Sequence, residues 1–162
     1  MPGGMSFELT EDQELIRKSV AELASKFDDQ YWMEKDQAHE FPQEFYDAIA
    51  KGGWLGMTIP EEYGGHGLGI TEATLLLEEV SRSGAAMNGA SAIHLSIFGM
   101  NPVLKYGSDE QRKKYLPPVA EGSLHVAFGV TEPDAGTDTT SISTRATLSA
   151  DGSHYTIRGR KV

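Results

Sequence analysis

The sequence contains no cysteine. That removes a disulfide framework, a thiolate metal site and a cysteine nucleophile. Nor does any stretch stay apolar for the roughly 18 residues that a membrane-spanning helix needs. The longest candidate, 84–104, is broken by Asn88, His94, Asn101 and Pro102. Residues 1–6 hold no basic stretch followed by an apolar run, so no secretory leader is expected. Basic residues are scarce: 14 lysines and arginines stand against 24 aspartates and glutamates, a net charge of −10. Such a surface repels phosphates, which argues against nucleic acid as a partner. The one tight basic cluster, Arg112-Lys113-Lys114, lies in a polar helical pattern and reads as a solvated face. His39, His66, His94, His125 and His154 show no i, i+4 pairing, so no metal site is expected. No serine stands in a G-x-S-x-G elbow, and a hydrolase has no support. Gly64-Gly-His-Gly-Leu-Gly69 departs from G-x-G-x-x-G spacing and has no strand-loop-helix unit around it. It reads as a tight turn, not a dinucleotide cradle.

What is present is a chain of 162 residues, 39% hydrophobic and 9% aromatic. This is the composition of a folded globular protein, long enough for one domain or one domain and part of another. Thr10 followed by Gln13 forms a capping box. Behind it Leu15, Ile16, Val20, Leu23, Ala24 and Phe27 recur at helical spacing, which predicts an amphipathic helix over about 11–28. Pro42, Phe45, Ile49 and Gly52-Gly53 predict a short second helix that stops at glycine. The glycine-rich stretch 52–69 reads as loop. Ala73, Leu76, Leu77 and Val80 give one face of a third helix ending near Gly84. A fourth, apolar helix covers 85–106, with Pro102 kinking or restarting it. Ser108 and Gln111 form a second capping box, opening a helix that Pro117-Pro118 is expected to disturb.

After Gly122 the period changes. Residues 125–131, 143–149 and 154–162 read as strands, and Asp151-Gly152 between the last two is a hairpin signal. The fold class is therefore mainly α with a β segment (α+β), with a domain boundary near 122. Two or three strands in 40 residues make a poor independent sheet, and the last leaves an open edge. Missing sequence beyond residue 162 is expected on that ground alone.

The most informative segment is Gly129-Val-Thr-Glu-Pro-Asp-Ala-Gly-Thr-Asp138. A strand runs into a turn dense in hydroxyls and backbone N–H donors. Gly136 lets backbone approach a ligand closely. Thr131 and Thr137 offer short hydroxyls to ring nitrogens or phosphate oxygens. Such a loop can hold an anionic cofactor without basic side chains, though a plain strand-to-loop turn accounts for the same residues.

With Phe128 in front of it, this segment resembles the first signature of the acyl-CoA dehydrogenase family, G-V-T-E-P-x-A-G-S/T-D. Other stretches agree in order. Leu9-Thr-Glu-Asp-Gln13 is similar to the family's opening helix. Pro60-Glu-Glu-Tyr-Gly-Gly-His-Gly67 is similar to its P-x-E-Y-G-G-x-G loop. Tyr106-Gly-Ser-Asp-Glu-Gln-Arg-Lys-Lys-Tyr-Leu116 is similar to its G-S/T-x-E-Q-K-x-K-Y-L helix. The resemblance runs from Phe7 to Val162. It implies an N-terminal helical-bundle domain over 1–122 and the first strands of a truncated middle β-barrel domain over 123–162. A C-terminal helical domain is expected outside the chain.

The resemblance further implies FAD, used to desaturate an acyl-CoA thioester between its α and β carbons. Phe128, Val130 and Thr131 are then expected against the isoalloxazine ring, with the Thr131 hydroxyl near N5. Gly136 and Thr137 are expected at the FAD pyrophosphate, and Thr137 also near CoA. Glu132 and Asp138 read as loop-shaping residues. The fourth helix lines the family's acyl pocket, and Ser91, His94 and Phe98 share one face of it by i, i+3, i+7 spacing. A bulky Phe98 and polar His94 there favour short or branched acyl groups. Ordinary helix packing is the competing reading of all three.

The chain stops at Gly159-Arg-Lys-Val162, before the family's tryptophan-led W-I-T/S-N segment and before its general base. No catalytic residue is assigned within these 162 residues. The isolated chain is expected to be inactive and to hold FAD weakly or not at all. An electron-transfer flavoprotein or similar acceptor, a homotetrameric full-length parent and a bacterial cytosol or organelle matrix complete the expectation. Two alternatives stay open. One is an acyl-CoA oxidase or flavin monooxygenase of the same fold, and the other is a natural short protein that binds a partner without catalysis.

Overall fold

The computed structural model describes residues 8–162. The leader reading and the first residue of the resemblance fall on residues 1–7, outside the described part. Two compact units are present, one ending at Val126 and the other spanning Ala127–Val162.

The first unit is helical. Helix α1 (Glu11–Ala24) opens on the expected box: the Thr10 hydroxyl accepts from Gln13 N–H at 3.2 Å, and the Gln13 side chain accepts from Thr10 N–H at 3.0 Å. Val20 and Ala24 are buried, whereas Leu15, counted on the apolar face by spacing, points to solvent. The helix ends at Ala24, short of the predicted 28. Asp28 begins a new helix, α2 (Asp29–Ala38), its carboxylate accepting from Tyr31 N–H at 2.9 Å. An N-terminal cap of this kind satisfies a backbone donor that a continuous helix would not expose. Helix α3 (Gln43–Lys51) follows Pro42 and stops at Gly52 as expected.

Two single 3-10 turns, Trp54–Gly56 and Glu61–Tyr63, order the glycine-rich loop. Its N–H groups turn inward: His66 donates to the Gly56 carbonyl at 3.0 Å, Gly67 to Ile59 at 2.8 Å and Leu68 to Met57 at 2.9 Å. With those donors used internally, the loop is a packed turn. Helix α4 (Ile70–Val80) ends in a wider turn over Ser81–Ala85, and α5 (Ala86–Phe98) and α6 (Asn101–Tyr106) follow, with Pro102 restarting the chain in the first turn of α6.

Helix α7 (Asp109–Ala120) carries the second box, Ser108 with Gln111. It runs through Pro117 and Pro118, contrary to the sequence expectation. Two backbone donors are lost there, yet Leu116, Val119 and Ala120 are buried with Ile59, and that burial holds the last turn. The main core gathers Val20, Phe45, Tyr46, Ile49, Leu55, Leu76, Val80 and Ile93. Among the described residues no helix is long and apolar enough to cross a membrane.

The second unit carries one antiparallel hairpin, β1 (Arg145–Leu148) with β2 (Tyr155–Arg158), in the register Arg145↔Arg158 to Leu148↔Tyr155. Both strands are shorter than the predicted spans. The turn sits where Asp151-Gly152 placed it: Gly152, at φ +72°, donates to the Ser149 carbonyl at 3.0 Å. The predicted strand 125–131 forms no ladder. The Thr131 carbonyl accepts from Val162 N–H at 3.1 Å, but no neighbouring strand extends that pairing.

Candidate functional site

The motif Phe128–Asp138 lies in the second unit, and two carboxylates organise it. Glu132 and Ala135 exchange backbone hydrogen bonds of 3.1 Å each, closing a tight turn around Pro133 and Asp134. Glu132 is only 4% exposed. It accepts from the backbone N–H and hydroxyl of Ser143, both at 2.7 Å, and from the N–H of Thr144 at 3.0 Å. The Thr144 hydroxyl and the Lys161 ammonium complete its shell, the latter at 3.0 Å. These donors, the Thr144 and Ser143 hydroxyls foremost, hold the Glu132 carboxyl far below the usual carboxylate range, against the opposing effect of desolvation. Asp138 caps the 3-10 turn Thr139–Ser141, accepting from Thr140 N–H at 3.1 Å and from the Thr140 and Ser141 hydroxyls. The Ser141 hydroxyl, first, lowers its pKa. Both acids are occupied in shaping the loop.

The hydroxyls of this segment therefore divide. Those of Thr140, Ser141, Ser143 and Thr144 are bound to Glu132 or Asp138. Those of Thr131, Thr137 and Thr139 have no partner among the described residues, and all three residues are exposed. Phe128 is 49% exposed and Val130 half-buried. At Gly136 no atom lies within 4 Å of where a Cβ would stand, and its φ is not in the left-handed region. Neither packing nor backbone geometry demands glycine there, so an open surface above its Cα is what the residue leaves. Hydroxyls and a bare backbone are groups that can meet the ring nitrogens or phosphate oxygens of a cofactor such as FAD.

Ser91, His94 and Phe98 lie on α5, in the first unit. His94 Nδ1 is 3.1 Å from the Ala90 carbonyl and 3.2 Å from that of Ser91. Both are acceptors, so Nδ1 carries the proton and Nε2 is left for another partner. The His94 and Phe98 rings are 5.2 Å apart. Phe98, 43% exposed, borders an apolar cleft of about 380 Å³ with Thr58, Ile59, Leu68, Ile97, Met100 and Leu104. Ser91 opens instead onto a separate hollow beside His39, Phe41, Pro42 and Asn88. One helical face thus serves two depressions. Thr58, Leu68, Lys161, Ser143 and Thr144 were not singled out from the sequence. The first two come from a loop without periodicity, and the last three meet Glu132 only through the turn of the chain. Among the described residues no group of three or more histidines, aspartates or glutamates is placed to hold a metal.

Comparison with known proteins gives a consistent result. The family described as acyl-CoA dehydrogenase, N-terminal domain, matches residues 10–123. Acyl-CoA dehydrogenase FadE12 of Mycobacterium tuberculosis is 39% identical over 160 residues, covering 97% of this chain and 39% of that protein. The butyryl-CoA dehydrogenase of Megasphaera elsdenii superposes with a TM-score of 0.82 at 31% identity, over 98% of this chain and 42% of the other. An acyl-CoA dehydrogenase of Bacillus anthracis complexed with FAD gives 0.81 at 32% identity, over 95% and 26%. The chain thus spans well under half the length of these relatives.

Proposed function

This chain belongs to the acyl-CoA dehydrogenase family, and from that premise we propose that it forms part of an FAD-dependent enzyme that desaturates an acyl-CoA thioester. The observation that carries the proposal is in the signature loop, where the Thr131 and Thr137 hydroxyls are unpartnered beside a bare Gly136 while those of Thr140, Ser141, Ser143 and Thr144 are bound to Asp138 or Glu132. FAD, when bound, supplies the hydride acceptor. Phe128 and Val130 offer apolar surface to its ring, and Thr131 offers a hydroxyl that tunes it. Gly136 and Thr137 present backbone and hydroxyl to its pyrophosphate, and Thr137 also serves the CoA substrate. Of Ser91, His94 and Phe98, Phe98 borders the cleft that serves as the acyl site and limits chain length there, His94 packs beside it, and Ser91 faces the neighbouring hollow.

Residues 1–122 act as the N-terminal helical domain and 123–162 as the opening of the β-barrel domain. The general base, which must stand within hydrogen-bond reach of the proton it removes, comes from outside these residues. The native enzyme assembles as a homo-oligomer and passes electrons to an electron-transfer flavoprotein or similar acceptor.

The test is the intact mass and visible spectrum of the protein isolated from its natural source. The proposal expects a mass well above the 17.6 kDa of this chain and FAD released on denaturation. A 17.6 kDa protein without flavin overturns it. For the acyl site, Phe98→Ala in the native enzyme is expected to move the preference toward longer chains, and an unchanged chain-length profile removes Phe98 from that role.

A further inference from the structure

We propose that Lys161, together with Glu132, is a positioning residue that fixes the flavin-facing segment 130–132 through its backbone while leaving the Thr131 hydroxyl free; the inference rests on the flavin reading above. Three consecutive residues are each held by a different bond. The Val130 carbonyl accepts from Lys161 Nζ at 2.8 Å. The Thr131 carbonyl accepts from Val162 N–H at 3.1 Å. The Glu132 carboxylate is gripped by Ser143, Thr144 and the same Lys161 ammonium, at 3.0 Å from the last. A compact ammonium with three donors can divide itself between a carbonyl and a carboxylate in this way. Glycine at 159 is part of the device, because a Cβ there would collide with the Thr144 side chain. The segment can therefore close on Thr144 and bring Lys161 and Val162 onto 130–132.

Every bond in the clasp ends on a main-chain carbonyl or on Glu132, and none ends on the Thr131 hydroxyl. The segment is thus immobilised without using the hydroxyl offered to the ring. A preorganised donor needs no reorientation when its ligand arrives, which is how a supporting side chain acts on chemistry it never touches.

The experiment uses the flavin-loaded native protein and its Lys161→Met, Lys161→Arg and Glu132→Gln variants. Flavin content of the unsubstituted protein, the visible band and midpoint potential of bound flavin, the FAD dissociation constant, and amide exchange at Thr131, Glu132 and Val162 are read together. Lys161→Met, which removes the two charge-assisted hydrogen bonds to the Val130 carbonyl and the Glu132 carboxylate, is expected to raise the FAD dissociation constant about tenfold. It is also expected to shift the band and the potential and to speed exchange at Glu132 and Val162. Lys161→Arg is expected to restore part of each, and Glu132→Gln to move them in the same sense as Lys161→Met. Faster exchange with an unchanged band and potential makes the clasp merely structural and overturns the proposal. Unchanged exchange in Lys161→Met overturns it too, because the clasp is then not formed. Absence of flavin from the unsubstituted protein defeats the flavin reading itself, and the positioning role falls with it.

Discussion

Each of the two units of this chain is ordered internally by a different kind of bond. Up to Val126 the buried side chains are overwhelmingly apolar, with Phe45, Tyr46, Ile49, Leu55, Leu76, Val80 and Ile93 sealed among the helices. From Ala127 on, the only buried apolar side chain is that of Ala135, both hairpin strands are exposed on both faces, and the centre is the carboxylate of Glu132. Even the buried acids differ. Glu79 in the helical unit sits between Arg17 at 2.9 Å and Arg82 at 3.1 Å, at the edge of a large core. Glu132 has hydroxyls, backbone N–H groups and one lysine around it and no apolar core behind them. Burial of apolar surface drives folding, whereas a hydrogen bond within the protein replaces one to water and contributes far less. The helical unit is therefore the stable part, and the β unit is a locally knotted segment whose order hangs on a few polar contacts.

The largest expected effect tests the first half of that contrast. Phe45 is fully buried and meets Phe27 and Trp32 in edge-on ring contacts. Phe45→Ala is expected to destabilise the helical unit by about 3–5 kcal/mol, seen in urea denaturation followed by far-ultraviolet circular dichroism. A loss below about 1 kcal/mol means that the core is not packed as described. The second half is tested by Glu132→Ala. It leaves the N–H groups of Ser143 and Thr144 without an acceptor and Lys161 without its counter-charge. Amide protection at 143–144 and at Val162 is expected to disappear, while the helical dichroism stays unchanged because no helix uses Glu132. Helical unfolding in this variant, or intact protection, breaks the contrast.

The difference also governs what could be read in advance. Helices α1 and α7 were legible at their starts because Thr10–Gln13 and Ser108–Gln111 are local devices, closed within four residues. Helix α2 escaped notice because Tyr31, Trp32 and Met33 are consecutive and give no 3.6-residue period. Its one local signal, the capping Asp28, fell inside the span predicted for α1. The passage of α7 through Pro117-Pro118 depends on what Leu116 and Val119 pack against, which no local rule supplies. In the β unit the motif 128–138 was legible as a pattern. Which of its hydroxyls are free was not, since Thr140 and Ser141 are claimed locally by Asp138 but Ser143, Thr144 and Lys161 reach Glu132 from 11, 12 and 29 residues away. Spacing likewise put Ser91 and Phe98 on one helical face, but not the two separate depressions beneath it.

A smaller effect sharpens the account of the helical unit. Ser108→Ala removes the hydroxyl that accepts from Gln111 N–H at 3.3 Å, while the Gln111 side chain keeps its own bond to residue 108 at 2.8 Å. A loss of about 1 kcal/mol is expected, with the core unchanged. If the loss reaches that of Phe45→Ala, the cap is holding more than one helix end and the unit is less dominated by its core than argued above.

The smallest expected effect separates two acids within the β unit by pH. Asp151 sits in the hairpin turn, accepting from the Ser149 hydroxyl at 2.6 Å, the Ser153 hydroxyl at 2.9 Å and the Ser153 N–H at 3.1 Å. These bonds, that of Ser149 first, bring its carboxyl from 3.8 down to about 2. A carboxyl lowered by folding stabilises the fold fully above its unfolded value and loses that contribution as pH falls through its folded value. The turn is thus expected to loosen as pH drops from 3.8 toward about 2. Glu132, held lower still by its hydroxyls, N–H groups and Lys161, keeps the knot closed through that window. Carboxyl-carbon nuclear magnetic resonance resolves the two: Asp151 should titrate first, with Ser153 N–H losing protection alongside it, and Asp151→Asn should abolish that step alone. Asp151 is exposed, so water competes for each of its bonds and the effect stays local. If Glu132 titrates first, its buried shell is weaker than an open turn, and the polar knot cannot be what orders residues 127–162.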